Sequence, residues 1–119
     1  MNTDMIIYRD RQYGRVRGEE LVRLVRGSTI RTVEVMDRER PDKIYVTSDG
    51  GGSSRFGTNG EFVSHGHHNQ VHREPYTVSH NEVCVEGRGC FGLFKAANGA
   101  LMQIYRDHHA LVVLTPANP

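Results

Sequence analysis

The sequence predicts a mainly β fold, a small antiparallel β-barrel of about eight strands with one short N-terminal α-helix. Three observations predict it. Val outnumbers Leu by 13 to 6, and 13 Gly accompany nine Tyr and Phe with no Trp, a vocabulary of strands and turns rather than of helices. From Gly27 onward, short β-rich runs follow one another, separated by Gly, Asn, Asp and Pro. The last connections are too short for crossover helices, so the strands must run antiparallel, and closure into a barrel removes their exposed edges. A two-sheet jelly roll uses the same number of strands.

The 119 residues carry 15 Lys and Arg against 14 Asp and Glu, a formal net charge of +1. That balance gives no electrostatic reason for a nucleic-acid or anionic-membrane partner. No stretch approaches the ~18 uninterrupted apolar residues of a membrane-spanning helix. Leu, Ile, Val and Phe make up 28 residues, enough for one small core. Residues 1–17 show no basic segment leading into an apolar stretch, and they are expected as an N-terminal extension. Residues 18–115 then form a single domain, and 116–119 a tail.

The helix is expected from Gly18 to Arg26, where Leu21, Leu24 and Val25 form an apolar stripe. Glu19 and Glu20 fall in its first turn and Arg23 and Arg26 in its last, matching the helix dipole, and Gly27 stands where a left-handed residue would stop it. Its role is to plug or cover the sheet. The first strand after it, Thr29 to Met36, has Ile30 out of phase with Val33 and Val35, which predicts a bulge or a change of buried face between them. Arg40-Pro41-Asp42 breaks the chain before Lys43 to Ser48, and Asp49 with Gly50, Gly51 and Gly52 makes a turn. Asn59-Gly60 signals a two-residue type I′ hairpin between Ser53–Gly57 and Glu61–His65. Gly66 to Pro75 reads as a long polar loop with strand edges. Strands over Tyr76–Ser79, Glu82–Glu86, Cys90–Lys95, Leu101–Arg106 and Ala110–Thr115 complete a meander, with His108-His109 in its last turn.

Cys84 and Cys90 flank Gly87 symmetrically, so a hairpin centred there sets them opposite one another at a separation a disulfide can span. A disulfide fits a periplasmic or exported location, and a reduced pair a cytoplasmic one. His65, His67, His68 and His72 fall within eight residues. On an extended segment His65 and His67 point the same way, so both could bind one divalent transition metal, with His72, Glu74 or His80 as third ligand. Such a site would keep an open position for metal-assisted chemistry. Gly50-Gly51-Gly52-Ser53-Ser54 lacks the Lys and following helix of a phosphate loop and reads as a turn.

Two families share parts of this pattern. Gly18-Glu19-Glu20-Leu21 running to Leu24 and Gly27-Ser28-Thr29, then Tyr45 with Asp49-Gly50, Tyr76-Thr77-Val78 leading to Cys84, and Cys90-Phe91 with Leu93 and Gly99 resemble small bacterial lipocalin-like β-barrel domains of unknown function. That resemblance implies a barrel whose interior takes a small apolar ligand, and it carries no catalytic residues. Gly60, His65-x-His67 and Glu74 resemble the first metal motif of cupins, with six residues between His67 and Glu74.

The expected function is that of a non-enzymatic barrel binding a small hydrophobic ligand or a protein partner, with Tyr45, Phe56, Phe62, Tyr76, Phe91 and Phe94 as candidate lining. An interior filled by side chains would remove the cavity this needs. One alternative is a metal-dependent cupin-like enzyme using His65, His67, His72, Glu74 and His80. A second is a structural accessory subunit of a larger complex.

Overall fold

In the computed structural model, residues 4–37, 44–46, 53–65 and 70–116 are described. The expected break at Arg40 to Asp42, the turn from Asp49 to Gly52, and His67 and His68 lie outside those residues.

The chain opens with a hairpin of β1 (Met5–Tyr8) and β2 (Arg11–Arg15), followed by α1 (Gly18–Val25). Then come β3 (Thr29–Asp37), β4 (Ile44–Val46), β5 (Ser54–Phe56), β6 (Glu61–His65) and β7 (Val71–Val78). A meander of β8 (Val83–Val85), β9 (Gly89–Ala96), β10 (Leu101–Ile104) and β11 (His108–Thr115) completes it. Every pairing is antiparallel. Starting at β9, the hydrogen-bonded ring passes through β10, β11, β3, β5, β6, β7 and β8 and returns to β9. The expected mainly β fold, a closed eight-stranded antiparallel barrel with one short helix, is therefore what the chain adopts.

Closure depends on two strands that change partners along one edge. β3 pairs with β5 at Thr29 and Ile30 and with β4 from Glu34 to Met36. Between them Leu111 and Val112 face Glu34 and Thr32, so Val33 is the extra residue of the expected bulge. β9 pairs with β8 from Gly89 to Phe91 and with β2 from Phe94 to Ala96. β1 and β2, within the stretch expected as an extension, are thus strands of the same sheet. Tyr8 pairs with Arg11 across Arg9 (φ 51°) and Asp10 (φ 61°), the left-handed pair of a type I′ turn. Neither residue is the Asn or Gly that normally announces one. The Asn59-Gly60 connection, by contrast, has positive φ only at Gly60 and links the paired Phe56 and Phe62 by five residues.

β7 begins at Val71, well inside the expected loop, because Val71 to Pro75 pair with Glu61 to His65. His108 and His109 lie in β11, opposite Asp37 and Met36, rather than in the turn.

Alternation along β9 sorts two cores. Phe91 and Leu93 point into the barrel, where they pack with Val16, Leu21, Val25, Phe56 and Val112. Phe94 and Ala96 point outward and join Tyr13 and Met102, with Ile6 and Tyr8 of the hairpin folded over them. The Tyr8 hydroxyl donates to Glu34 Oε1 on β3 (2.7 Å), and burial beside that carboxylate pushes the phenol up to about 12. The β1–β2 hairpin therefore clasps the outer wall.

α1 closes one end of the barrel. Leu21 and Val25 are buried in the inner core, Gly18 N–H donates to His80 O, and Gly27 N–H donates to Phe56 O. Gly27 (φ 82°) sits in the left-handed conformation expected at the helix stop. Glu20 of the helix pairs with Lys95 of β9. Among the described residues no helix is long and apolar enough to cross a membrane.

Leu21 is fully buried, whereas Val22 one residue on is exposed. Leu21→Ala is expected to cost about 2–5 kcal/mol in urea denaturation, and Val22→Ala less than about 0.5 kcal/mol; equal losses would mean that the helix does not plug the barrel.

Candidate functional site

The end of the barrel opposite α1 carries the polar chemistry. There the inner face of β10 presents Gln103, only 5% exposed, and the chain continues inward-phased to Tyr105. Gln103 Nε2 donates to the Tyr105 hydroxyl over a long 3.4 Å. Tyr105 packs between the Phe91 ring (5.3 Å) and the His108 ring, which stacks on it at 4.4 Å and 14°. Burial raises its phenol pKa, so the ring stays a neutral donor and acceptor.

Arg88 comes from the three-residue turn between the paired Val85 and Gly89, where Gly87 and Gly89 supply positive φ. Its guanidinium grips Glu74 through Nε (2.5 Å) and Nη2 (3.2 Å), donates from Nη2 to Ser64 Oγ (2.7 Å), and lies 5.4 Å over the Phe62 ring. Hydrogen bonding from Arg88 holds the Glu74 carboxyl below the usual carboxylate range.

Beneath these groups a cavity of about 110 Å³ enters the barrel, walled by Phe56, Phe62, Phe91, Gln103, Tyr105 and Arg88. It is smaller than the roughly 150 Å³ apolar void that holds a benzene. Outside the same rim runs a larger groove of about 730 Å³, floored by Cys90, Gly92 and Ile104. Arg15, Glu82 and Arg106 flank it, and Arg88, Gly89 and Tyr105 line both spaces. Arg15 is seated rather than loose. Its guanidinium lies 4.7 Å over the Phe94 ring, and its Nη1 donates to Asn81 O (3.0 Å). Gly92 makes the room, since a Cβ there would fall 2.5 Å from that nitrogen.

Of the expected lining, Phe56, Phe62, Tyr76 and Phe91 do meet inside the barrel, with Phe56 at the centre, 4.8, 5.2 and 6.1 Å from the other three rings. Tyr76 closes its own hydrogen bond to Gly57 O (2.5 Å). Phe94 faces the outer core, and the Tyr45 side chain lies outside the described residues.

Among the described residues, the candidate metal ligands His65, His72, Glu74 and His80 are not brought together. Strand pairing puts Ser64 opposite His72 and Phe62 opposite Glu74, so His72 and Glu74 share the inner face of β6 and β7. His65 pairs with Val71 on the other face. His80 sits in the β7–β8 turn beside the helix, at the far end of the barrel, and Glu74 is committed to Arg88. Among the described residues, the clustered His, Cys, Asp or Glu ligand atoms are those of Glu82, Cys84 and Cys90 and include no histidine. Cys84 and Cys90 pair directly across β8 and β9 with their sulfurs 2.08 Å apart, at disulfide distance.

Sequence reading missed Arg88, Gln103 and Tyr105. The legible signal was a polar Gln in the inward phase of Leu101-Met102-Gln103-Ile104. Comparison of the chain with protein-family models, with curated proteins and with solved structures gives no match.

The depressed Glu74 carboxyl stabilises the fold above its unfolded pKa and ceases to do so as pH falls through its lower folded value. Arg88→Gln is therefore expected to lower stability at pH 7 and to shrink the loss between pH 7 and pH 3. Urea midpoints at both pH values measure this, and an unchanged difference would show that the pair carries no linkage.

Proposed function

We propose that this barrel binds a small amphipathic molecule at its open rim, without catalysing a reaction. The observation that carries the reading is the shared wall of Arg88, Gly89 and Tyr105, which joins an aromatic cavity inside to a polar groove outside. The cavity volume falls below the ~300 Å³ lower bound of typical ligand pockets, so it suits one small apolar group rather than a whole lipid. The remainder of the ligand then lies among Gln103, Tyr105 and the arginines. A buried amide held by one long hydrogen bond gains most from a polar ligand atom. This narrows the lipocalin-like expectation from a wholly hydrophobic ligand to one with a polar or anionic head.

Short carboxylates of increasing apolar size, from butyrate to phenylacetate, are the probes. Titrated into isotope-labelled protein, the best of them is expected to shift the amides of Gly89, Phe91, Gln103 and Tyr105. Gln103→Leu is expected to weaken that probe at least tenfold, the scale of one charge-assisted hydrogen bond. Absence of shifts at these amides at millimolar probe, or shifts confined to the β1–β2 hairpin, would refute the rim as the binding site.

A further inference from the structure

The outer groove holds a second chemistry, independent of the ligand reading. Cys84 and Cys90 occupy directly opposed positions on β8 and β9, and Cys90 and Glu82 line the groove. Glu82 precedes Cys84 by two residues, and its Oε1 lies 3.8 Å from Cys84 Sγ. A disulfide sulfur carries no proton, so this contact is an approach rather than a hydrogen bond. The backbone of Glu82 is fixed by the Ser79 turn: Ser79 N–H donates to Glu82 O (2.9 Å), and Glu82 N–H donates to Ser79 Oγ (3.3 Å). One carboxylate oxygen and both sulfurs lie within 4.8 Å of one another.

We infer that reduction of the Cys84–Cys90 disulfide opens a Cys₂Glu site for one thiophilic divalent cation of the zinc type. While the disulfide stands, its sulfurs have no thiolate charge to offer, and a single carboxylate cannot hold the ion. Two equivalents of a small thiol transfer two electrons and two protons to the S–S bond, leaving two Cys S–H groups and one external disulfide. Binding the cation then releases the two thiol protons to solvent.

The geometry is favourable because the strands, not a loop, set the spacing. Zinc holds thiolates at about 2.3 Å and a carboxylate oxygen at roughly 2.0–2.2 Å in a tetrahedron, which separates neighbouring ligand atoms by roughly 3.5–4 Å. The paired backbones are 3.9 Å apart at Cα, so the opened sulfurs reach that separation by side-chain rotation while the β8–β9 ladder stays in register. Two thiolates and a carboxylate leave one net negative charge around a divalent ion. Arg15 and Arg88 line the same groove but are already paired with Asp4 and Glu74. Three protein ligands leave the fourth position of a tetrahedron to water.

The test uses the full chain without a tag, oxidised or reduced by a phosphine that is then removed without oxygen. Cobalt(II) alone is the spectroscopic probe and zinc its competitor. The expected result is one equivalent of cobalt on the reduced chain, with sulfur-to-cobalt charge-transfer absorption that zinc abolishes, and none of that absorption on the oxidised chain. Glu82→Gln is expected to weaken cobalt at least tenfold, and Cys90→Ser to remove the charge-transfer band. Cobalt bound equally by both redox forms would overturn the site, placing the ligands elsewhere, as would an affinity unchanged in Glu82→Gln. Far-ultraviolet circular dichroism follows the fold throughout; a reduced chain that loses its strand signal and does not regain it with zinc also overturns the proposal.

Discussion

The barrel closes because β9 gives one edge to two partners in succession. Gly89 to Phe91 pair with β8, Phe94 to Ala96 pair with β2, and between them Val16 N–H donates to Leu93 O. A strand that paired with β8 along its whole length would leave the N-terminal hairpin no edge to join. One that paired only with β2 would leave the sheet open, with β8 as an exposed edge. β3 repeats the arrangement with β5 and β4 and absorbs the change of direction in the Val33 bulge.

From this double pairing follow both the inner and the outer surfaces. Because side chains alternate, the inward set of β9 builds the aromatic core and the outward set builds the floor of the groove and the seat of the hairpin. Gly92 lies at the crossover. It leaves Arg15 room to cross the outer wall, so the same residue that loosens the strand places a cation beside Cys90 and Glu82. The closed end is sealed by α1 and holds the buried Ser28, whose hydroxyl donates to Val25 O, while the buried Ser64 and Gln103 stand toward the opposite rim. There each is answered: Ser64 by Arg88, Arg88 by Glu74, and Gln103 by Tyr105.

Much of this was legible in the sequence, and the parts that were not share a cause. The helix, the bulge and the opposition of Cys84 and Cys90 are written in local pattern: an apolar stripe with charged ends, a phase slip, and symmetric spacing about Gly87. The β1–β2 hairpin was not, because its turn is Arg9-Asp10 and its apolar residues are covered only by an outer core that no local pattern announces. Val71 to Pro75 were hidden by polarity. Their strand is held by ladder pairing to β6, and Val71, His72, Arg73 and Pro75 stay exposed, so neither burial nor alternation marks it. The histidine cluster shows the complementary limit: proximity in sequence does not decide which face each residue takes, and one register assignment separates His65 from His72.

The rim is where stability alone gives the weakest account of the residues present. A barrel interior gains by filling with aromatics, and Phe56 with three rings around it does so at the closed side of the cavity. Continuing that packing would require an apolar residue at position 103, which faces inward between Leu93 on one strand and Ala110 on the other. Instead a buried Gln stands there, held by one long hydrogen bond to the half-buried Tyr105 phenol. Burying an amide on such terms costs more than a leucine of similar volume would. The same rim has the Arg88–Glu74 ion pair, whose partners remain partly exposed and so add little to stability by themselves. A polar ring retained above an aromatic floor, where apolar packing would hold the barrel better, is the arrangement that the proposed rim ligand would account for.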